Sequence, residues 1–194
     1  MKIAVVDSGI TAGHPHIGPV AGGASFTADG DLTDRLGHGT AVAAAIRQWA
    51  PEAALYAVKI FDGRLSANID TLLRALEWCR ANEMEMINLS LGTVPAHADA
   101  LAGAIGSCPM IVSPASALPG SLPSVVGVEA DPSCPRDRFR YVDGVFYASP
   151  YPRPIPGVPP ERNLSGVSFA VANVTGLAAS AAALTRAILI RAAA

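Results

Sequence analysis

Three side chains in this sequence have the types that acyl transfer needs: a carboxylate at Asp7, an imidazole at His38 and a hydroxyl at Ser168, separated by 31 and 130 residues. A serine hydroxyl is a weak nucleophile until a neighbouring imidazole takes its proton. A carboxylate on the other imidazole nitrogen fixes the tautomer and stabilises the imidazolium that forms. A helix that starts at the serine aims backbone N–H groups at a developing oxyanion. Taken one at a time, each residue has a plainer role. Asp7 can cap a turn, His38 can be a locally bonded helix-start histidine, and Ser168 can be an ordinary N-cap.

The elements around these residues decide whether they can meet. Ile3 to Val6 is a short β-branched run ending in Asp7-Ser8-Gly9, the pattern of a buried parallel strand entering a turn. Residues 11–37 read as loop with one short strand. His38-Gly39-Thr40 opens a helix through Ala41 to Ile46, which Pro51 stops. Ala54 to Phe61 reads as a strand. Asn68 caps a helix from Ile69 to about Ala81, with Ile69, Leu72, Leu73, Leu76 and Cys79 on one face. Strands follow at Met86 to Leu91, Met110 to Val112 and Ser124 to Val128, with a helix over 97–106 between the first two. Tyr141 to Ala148 reads as one more strand, and residues 150–160 hold six of the 16 prolines and form a loop. From Ser168 onward the chain reads as one long helix.

Strands alternating with helices predict an α/β fold: a single domain over 1–194 with three layers, an open and mostly parallel sheet covered by helices on both faces. In such sheets ligands bind beyond the carboxyl ends of the strands. Asp7 ends the first strand, and His38 and Ser168 each open a helix after a loop.

The local sequences go further. VVDSGI, GHGTAVAAAI, INLSLG and SGVSFAVANVTGLAA occur in that order. Together they resemble the subtilisin-like serine proteases, the subtilases, whose catalytic order is Asp, His, Ser. YAVKIF, EWCRANEMEMINLSLG and PSVVGVEA also resemble family segments, so the likeness runs from Lys2 to about Leu184. It implies a subtilisin-like fold and a serine endopeptidase, with Asp7 as the triad acid, His38 as general base and Ser168 as nucleophile. It also implies that Ser90-Leu91-Gly92 is the strand on which an extended peptide is laid, and that Ser113, Pro114, Ala115 and Ser116 wall the substrate pocket.

The departures from the family pattern matter as much. The family's oxyanion hole uses an Asn from an A-A-G-N segment, and the matching stretch here, VSPASALPG from Val112 to Gly120, has none. Val167 stands where Thr usually precedes the nucleophile, and Ala172 and Asn173 replace a Pro and a His. The backbone N–H of Ser168 is then the surest oxyanion donor, with Ser113, Ser116 and Asn163 as further candidates. Loss of such an Asn costs roughly 100–1,000-fold in turnover, which leaves a usable enzyme. The expectation is therefore a slow or specialised protease, whose acyl-enzyme passes to water or to an amine. The alternative is a pseudoprotease that binds peptides or a partner protein without turnover.

Composition narrows the other classes. Hydrophobic residues make up 51% and charged residues 15%, which excludes a disordered chain. The net charge of −2 without a basic stripe speaks against nucleic acid. The alternating Arg136, Arg138 and Arg140 read as a solvated strand edge. The alanine-rich C-terminal segment is interrupted by Asn173, Thr175, Ser180, Thr185, Arg186 and Arg191, so no membrane partner is expected. The start, MKIAVVDSGI, has too short an apolar run for a signal peptide. Cys79, Cys108 and Cys134 form an odd, sparse set that reads as structural and suits a reducing compartment, so the expected location is cytoplasmic.

No cofactor or metal is expected. Asp29, Asp31 and Asp34 crowd one loop, as calcium ligands do, but their spacing fits no EF-hand and a solvated acidic loop is preferred. His14 and His16 have no nearby cysteine to complete a zinc set and read as a polar loop. Asp7-Ser8-Gly9 also matches an aspartic-protease signature, but that chemistry needs a second carboxylate to share a proton. The proline run from Pro150 to Pro160 is expected to border the substrate cleft and to restrict entry.

Overall fold

The computed structural model describes residues 1–106, 110–159, 162–183 and 185–193. Cys108, Pro160 and Leu184, which figure in the sequence reading, lie outside them. In chain order the elements are β1 (Lys2–Asp7), β2 (Gly22–Ser25), α1 (His38–Trp49), β3 (Ala54–Lys59), α2 (Ile69–Ala81), β4 (Met86–Leu89), α3 (Ala98–Ile105), β5 (Met110–Pro114), β6 (Val126–Ala130), β7 (Phe139–Val142), β8 (Val145–Ala148), α4 (Val167–Ser180) and α5 (Arg186–Ala192). The eight strands make one sheet in the order β2-β3-β1-β4-β5-β6-β8-β7, and only the β7–β8 pair is antiparallel.

Period-two alternation divides the core into two layers. Ile3 and Val5 of β1 join Leu55, Ala57, Met86 and Val112 in the cluster that packs under α1, α4 and α5. Ala4 and Val6 join Val58, Ile87, Leu89 and Ile111 in the cluster under α2 and α3. Helices on both faces of a parallel sheet give the expected three layers. β1 sits between β3 and β4, so the chain leaves it toward one edge and later continues toward the other. The crevice at such a reversal is where open α/β sheets bind ligands.

α1 and α4 cross closely. A Cβ on Gly176 would come within 2.9 Å of the Ile46 carbonyl and 3.0 Å of Trp49 Cβ, so glycine permits the approach. Beside the crossing, the fully buried Asn173 accepts a hydrogen bond from Trp49 Nε1 at 3.0 Å. Its Nδ2 donates to the carbonyls of Ser149 and Tyr151, both at 3.0 Å.

Several boundaries differ from expectation. The long C-terminal helix is two: α4 ends at Ser180, Ala182 adopts a φ of 50°, and the Thr185 side chain caps α5 by accepting from Ile188 N–H. The break lets Leu189 fold back into the core. Tyr141 to Ala148 is not one strand but part of a hairpin, turned at Asp143 and Gly144, whose φ values of 48° and 90° suit an Asp-Gly turn. The predicted helix over 97–106 starts as a 3-10 turn at Pro95–His97 before α3. The strand predicted to reach Leu91 ends at Leu89, and the next-but-one begins at Val126 rather than Ser124. Among the described residues, no helix is long and apolar enough to cross a membrane.

Candidate active site

Asp7 and His38 meet at one end of the sheet. Asp7 is the last residue of β1 and fully buried; His38 is the first of α1. His38 Nδ1–H donates to both carboxylate oxygens, at 2.8 and 2.9 Å. Gly39 makes the approach possible, because a Cβ there would lie 2.2 Å from the Gly9 carbonyl and 3.2 Å from the Asp7 side chain. Burial disfavours the His38 imidazolium, but the hydrogen bond and charge of Asp7, with the charge of Asp34, outweigh it and raise the pKa.

Asp34 is the residue that sequence reasoning undervalued. With Asp29 and Asp31 it was expected in a solvated acidic loop, yet it is buried. Its Oδ1 accepts from Ser8 Oγ at 2.8 Å and from the N–H groups of Leu36 and Gly37 at 3.0 and 2.8 Å. Its Oδ2 accepts from Thr40 N–H at 2.8 Å, while Ser8 Oγ accepts from Gly39 N–H at 3.0 Å. These bonds satisfy the first turn of α1, whose N-cap, Gly37, has no side chain to offer. Asp34→Asn turns an amide N–H₂ against one of those donors, a loss of about 2 kcal/mol. Removing the charge also lowers the His38 pKa, so the acid limb of a pH–rate profile should move to lower pH.

Asp29 and Asp31 do lie at the surface, but they are paired rather than free. They reach the fully buried Lys59 Nζ at 2.5 and 3.4 Å, and both also bind Arg35. Lys59 Nζ further donates to the Thr33 carbonyl at 2.9 Å, which holds the whole loop against the end of β3. The hydrogen bond from Lys59 holds the Asp29 carboxyl well below the usual range.

Ser168 is the second residue of α4 rather than its N-cap, so its backbone N–H has no intrahelical acceptor. Its hydroxyl donates to the Ser90 carbonyl at 3.4 Å, and among the described residues no hydrogen bond joins it to His38. A buried polar chain fixes this turn of α4: Thr175 Oγ1 donates to Asn88 Oδ1 at 2.9 Å, Asn88 Nδ2 to Ser90 Oγ at 2.9 Å, and Ser90 Oγ to the Ser168 carbonyl at 3.2 Å. Asn88 lies inside INLSLG but looked like one more strand residue.

His38 and Ser168 share a cleft of about 250 Å³ with Ser90, Leu91, Gly92, Ile60, Phe61, Leu72 and the segment 65–69. Three of the predicted substrate-binding residues therefore line it. Ser113 and Pro114 do not: both are buried, and Ser113 Oγ donates to the Leu91 carbonyl at 3.1 Å. Ala115 and Ser116 lie outside the cleft lining as well. Thr93 pairs with Leu118 in an isolated antiparallel bridge, and Ala117 packs on Gly92, so this segment braces the strand from behind. Of the further oxyanion candidates, Ser113 is committed to Leu91, and Asn163 holds the Arg153 carbonyl at 3.3 Å and the Leu164 N–H at 2.8 Å.

One other expectation needs revision. Arg136 is not on a solvated strand edge: it lies half-buried over the Trp49 ring and donates to Gln48 and to the Tyr151 carbonyl. Arg138 and Arg140 are exposed and pair with Asp137 and Asp131. Cys79 and Cys134 are buried, and burial raises the Cys134 thiol pKa, in keeping with an unreactive role.

The Subtilase family model matches residues 1–122. A subtilisin from Bacillus pumilus is 40% identical over 103 residues, covering 47% of this chain and 37% of the relative. Subtilisin E from Bacillus subtilis (strain 168) is 40% identical over 103 residues, covering 47% and 27%. The matched stretch thus spans little more than a third of the first relative's length and less of the second's. The crystal structure of a cold adapted subtilisin-like serine proteinase superposes with a TM-score of 0.71 over 98% of this chain and 79% of that one, at 22% identity, a likeness of fold. Asp7 and His38 lie within the family match, Ser168 lies beyond it, and on this evidence the chain belongs to the subtilase family.

Proposed function

We propose that the protein is a serine endopeptidase that cleaves peptides or proteins through an acyl-enzyme. The observation that carries the reading is the Asp7–His38 pair, whose imidazole lines the same cleft as Ser168. Ser168 attacks the scissile carbonyl, His38 takes its proton and returns it to the leaving amine, and Asp7 holds the imidazole in the required tautomer. The Ser168 N–H faces the developing oxyanion. Hydrogen bonds at such sites often tighten only when substrate arrives, so the present Ser168–Ser90 contact fits a resting state. The exposed backbone of Gly92 offers an edge for an extended peptide, which favours tolerance of side chains over strict selection.

A fluorophosphonate probe tests this directly. Stoichiometric labelling that maps to Ser168 in intact mass and peptide digests is the expected result. A folded protein that takes no label supports the second reading, a pseudoprotease that binds peptides through the same strand. That reading draws on the missing oxyanion Asn and on the resting bond of Ser168 to Ser90.

The proposal needs no metal. Asp29 and Asp31 are engaged by Lys59 and Arg35, and Asp34 by Ser8 and backbone N–H groups. Excess EDTA is accordingly expected to leave the melting temperature unchanged within about 1 °C; a calcium-stabilised loop would lose several degrees. A cytoplasmic location, suggested by cysteine usage, belongs to the same reading.

A further inference from the structure

Across the start of α1 from the cleft lies a second, larger cavity of about 590 Å³. Gly37 lines it, and His38 lines the cleft, so one residue of backbone separates the two. Its floor is apolar, formed by Ala41, Ala44 and Pro152, with Ile155 and Leu164 exposed at the rim. Its polar groups are of one sign or neutral: Arg153, Arg162, His14 and His16 contribute, and among the described lining residues there is no carboxylate.

These groups are partly set in place. Arg153 Nη1 donates to the His16 carbonyl at 3.0 Å, and Asn163 Nδ2 donates to the Arg153 carbonyl at 3.3 Å. His14 Nδ1 accepts from His16 N–H at 3.2 Å, which leaves the His14 proton on Nε2 as a donor. The two imidazoles stand edge to face, 5.4 Å apart. Burial, then the charges of Arg153 and His14, lower the His16 pKa. Among the described residues neither Arg153 nor Arg162 forms a salt bridge.

We propose that this cavity holds the leaving-group side of the peptide substrate and selects an apolar residue that carries, or is followed by, a carboxylate. The proposal rests on the protease reading above. Its direction rests on adjacency: the leaving amine takes its proton from His38, and Gly37, the residue before His38, lines this cavity, whereas neither neighbour of Ser168 does. A planar guanidinium beside an apolar floor suits a carboxylate on a hydrophobic segment. The carboxylate has two sources, an Asp or Glu side chain or the peptide's own C-terminus.

The test uses product-like peptides with a free amino terminus, titrated into the wild-type protein by calorimetry or NMR. Leu-Phe-Glu-amide is compared with Leu-Phe-Gln-amide, and Leu-Phe acid with Leu-Phe amide. The carboxylate form of at least one pair is expected to bind about tenfold tighter, the effect of one charge-assisted hydrogen bond. An advantage in the first pair identifies a side chain as the source, and one in the second identifies the chain end. Arg162→Gln and Arg153→Gln should each cut the advantage to about threefold or less. Arg153 also ties His16, so Arg162, which is exposed, supplies the variant that leaves the loop intact. Equal affinities in both pairs, or an advantage that survives both substitutions, overturns the site. Fluorophosphonate labelling of the same sample separates the two claims. Labelling without a carboxylate advantage removes only the cavity proposal; an advantage without labelling overturns its assignment to a leaving group.

Discussion

Ser168→Ala is expected to abolish fluorophosphonate labelling and to lower peptide turnover by about 10⁴- to 10⁶-fold. The size follows from the loss of the group proposed to form the covalent bond. Ser90 is the nearest rival, but its Oγ already accepts from Asn88 and donates to the Ser168 carbonyl. The fold should not notice the change. The Ser168 hydroxyl makes one long bond of 3.4 Å to the Ser90 carbonyl, and the residue is only half-buried. A stability change within about 0.5 kcal/mol is therefore expected, read as an unshifted thermal melt. Full activity in this variant would move the nucleophile elsewhere.

Asp7→Asn should cost about 10⁴-fold in kcat with the structure kept. The carboxylate accepts the Ser8 N–H at 2.7 Å and the His38 Nδ1–H at 2.8 and 2.9 Å. An amide can offer only one oxygen. Turned toward Ser8, it presents N–H₂ to His38 and drives the imidazole proton to Nε2, which then cannot accept from Ser168. A pH profile adds a second reading. Burial lowers the His38 pKa and Asp7 raises it, so without the carboxylate the acid limb moves to lower pH while the plateau falls. The sign for stability is opposite in sense. A histidine whose pKa is raised on folding adds stability that is complete below its unfolded pKa and fades as pH rises through the folded value. The wild type should lose that increment on going from mildly acidic to alkaline pH, and Asp7→Asn should not. Thermal melts across this range check it.

Much of this site was legible because its parts sit at element boundaries. Asp7 closes a β-branched run and His38 opens an alanine-rich helix, and both signals are local. What was not legible is the polar support beneath them. Asp34 looked like one of three loop acids, and only the fold shows that it caps α1 and binds Ser8, 26 residues away. Lys59 ends a strand whose pattern is apolar, and its partners lie 28 and 30 residues upstream. Nothing in the spacing of Asp29 and Asp31 foretells a buried ammonium. Ser113 to Ser116 were assigned to the pocket on resemblance alone, and the local chain instead turns Ser113 inward to Leu91. The single C-terminal helix failed for a related reason. A run of alanines has high helix propensity throughout, so the stop comes from Ala182 and the cap at Thr185, each a weak signal.

Asn173 has a consequence for how this protein can change. One amide ties Trp49 of α1, the helix that bears the nucleophile, and the segment that runs into the cationic cavity. On the proposed reading, catalytic rate and substrate choice are therefore coupled through this amide. A loop transplanted into positions 149–151 whose backbone carbonyls are placed differently would shift the Ser168 helix as well. Adaptation to a new peptide is easier through point changes at the far rim, at Arg162 or Ile155, than through exchange of the whole segment. Laboratory lineages selected for altered specificity should accumulate substitutions there first and keep residue 173 unchanged.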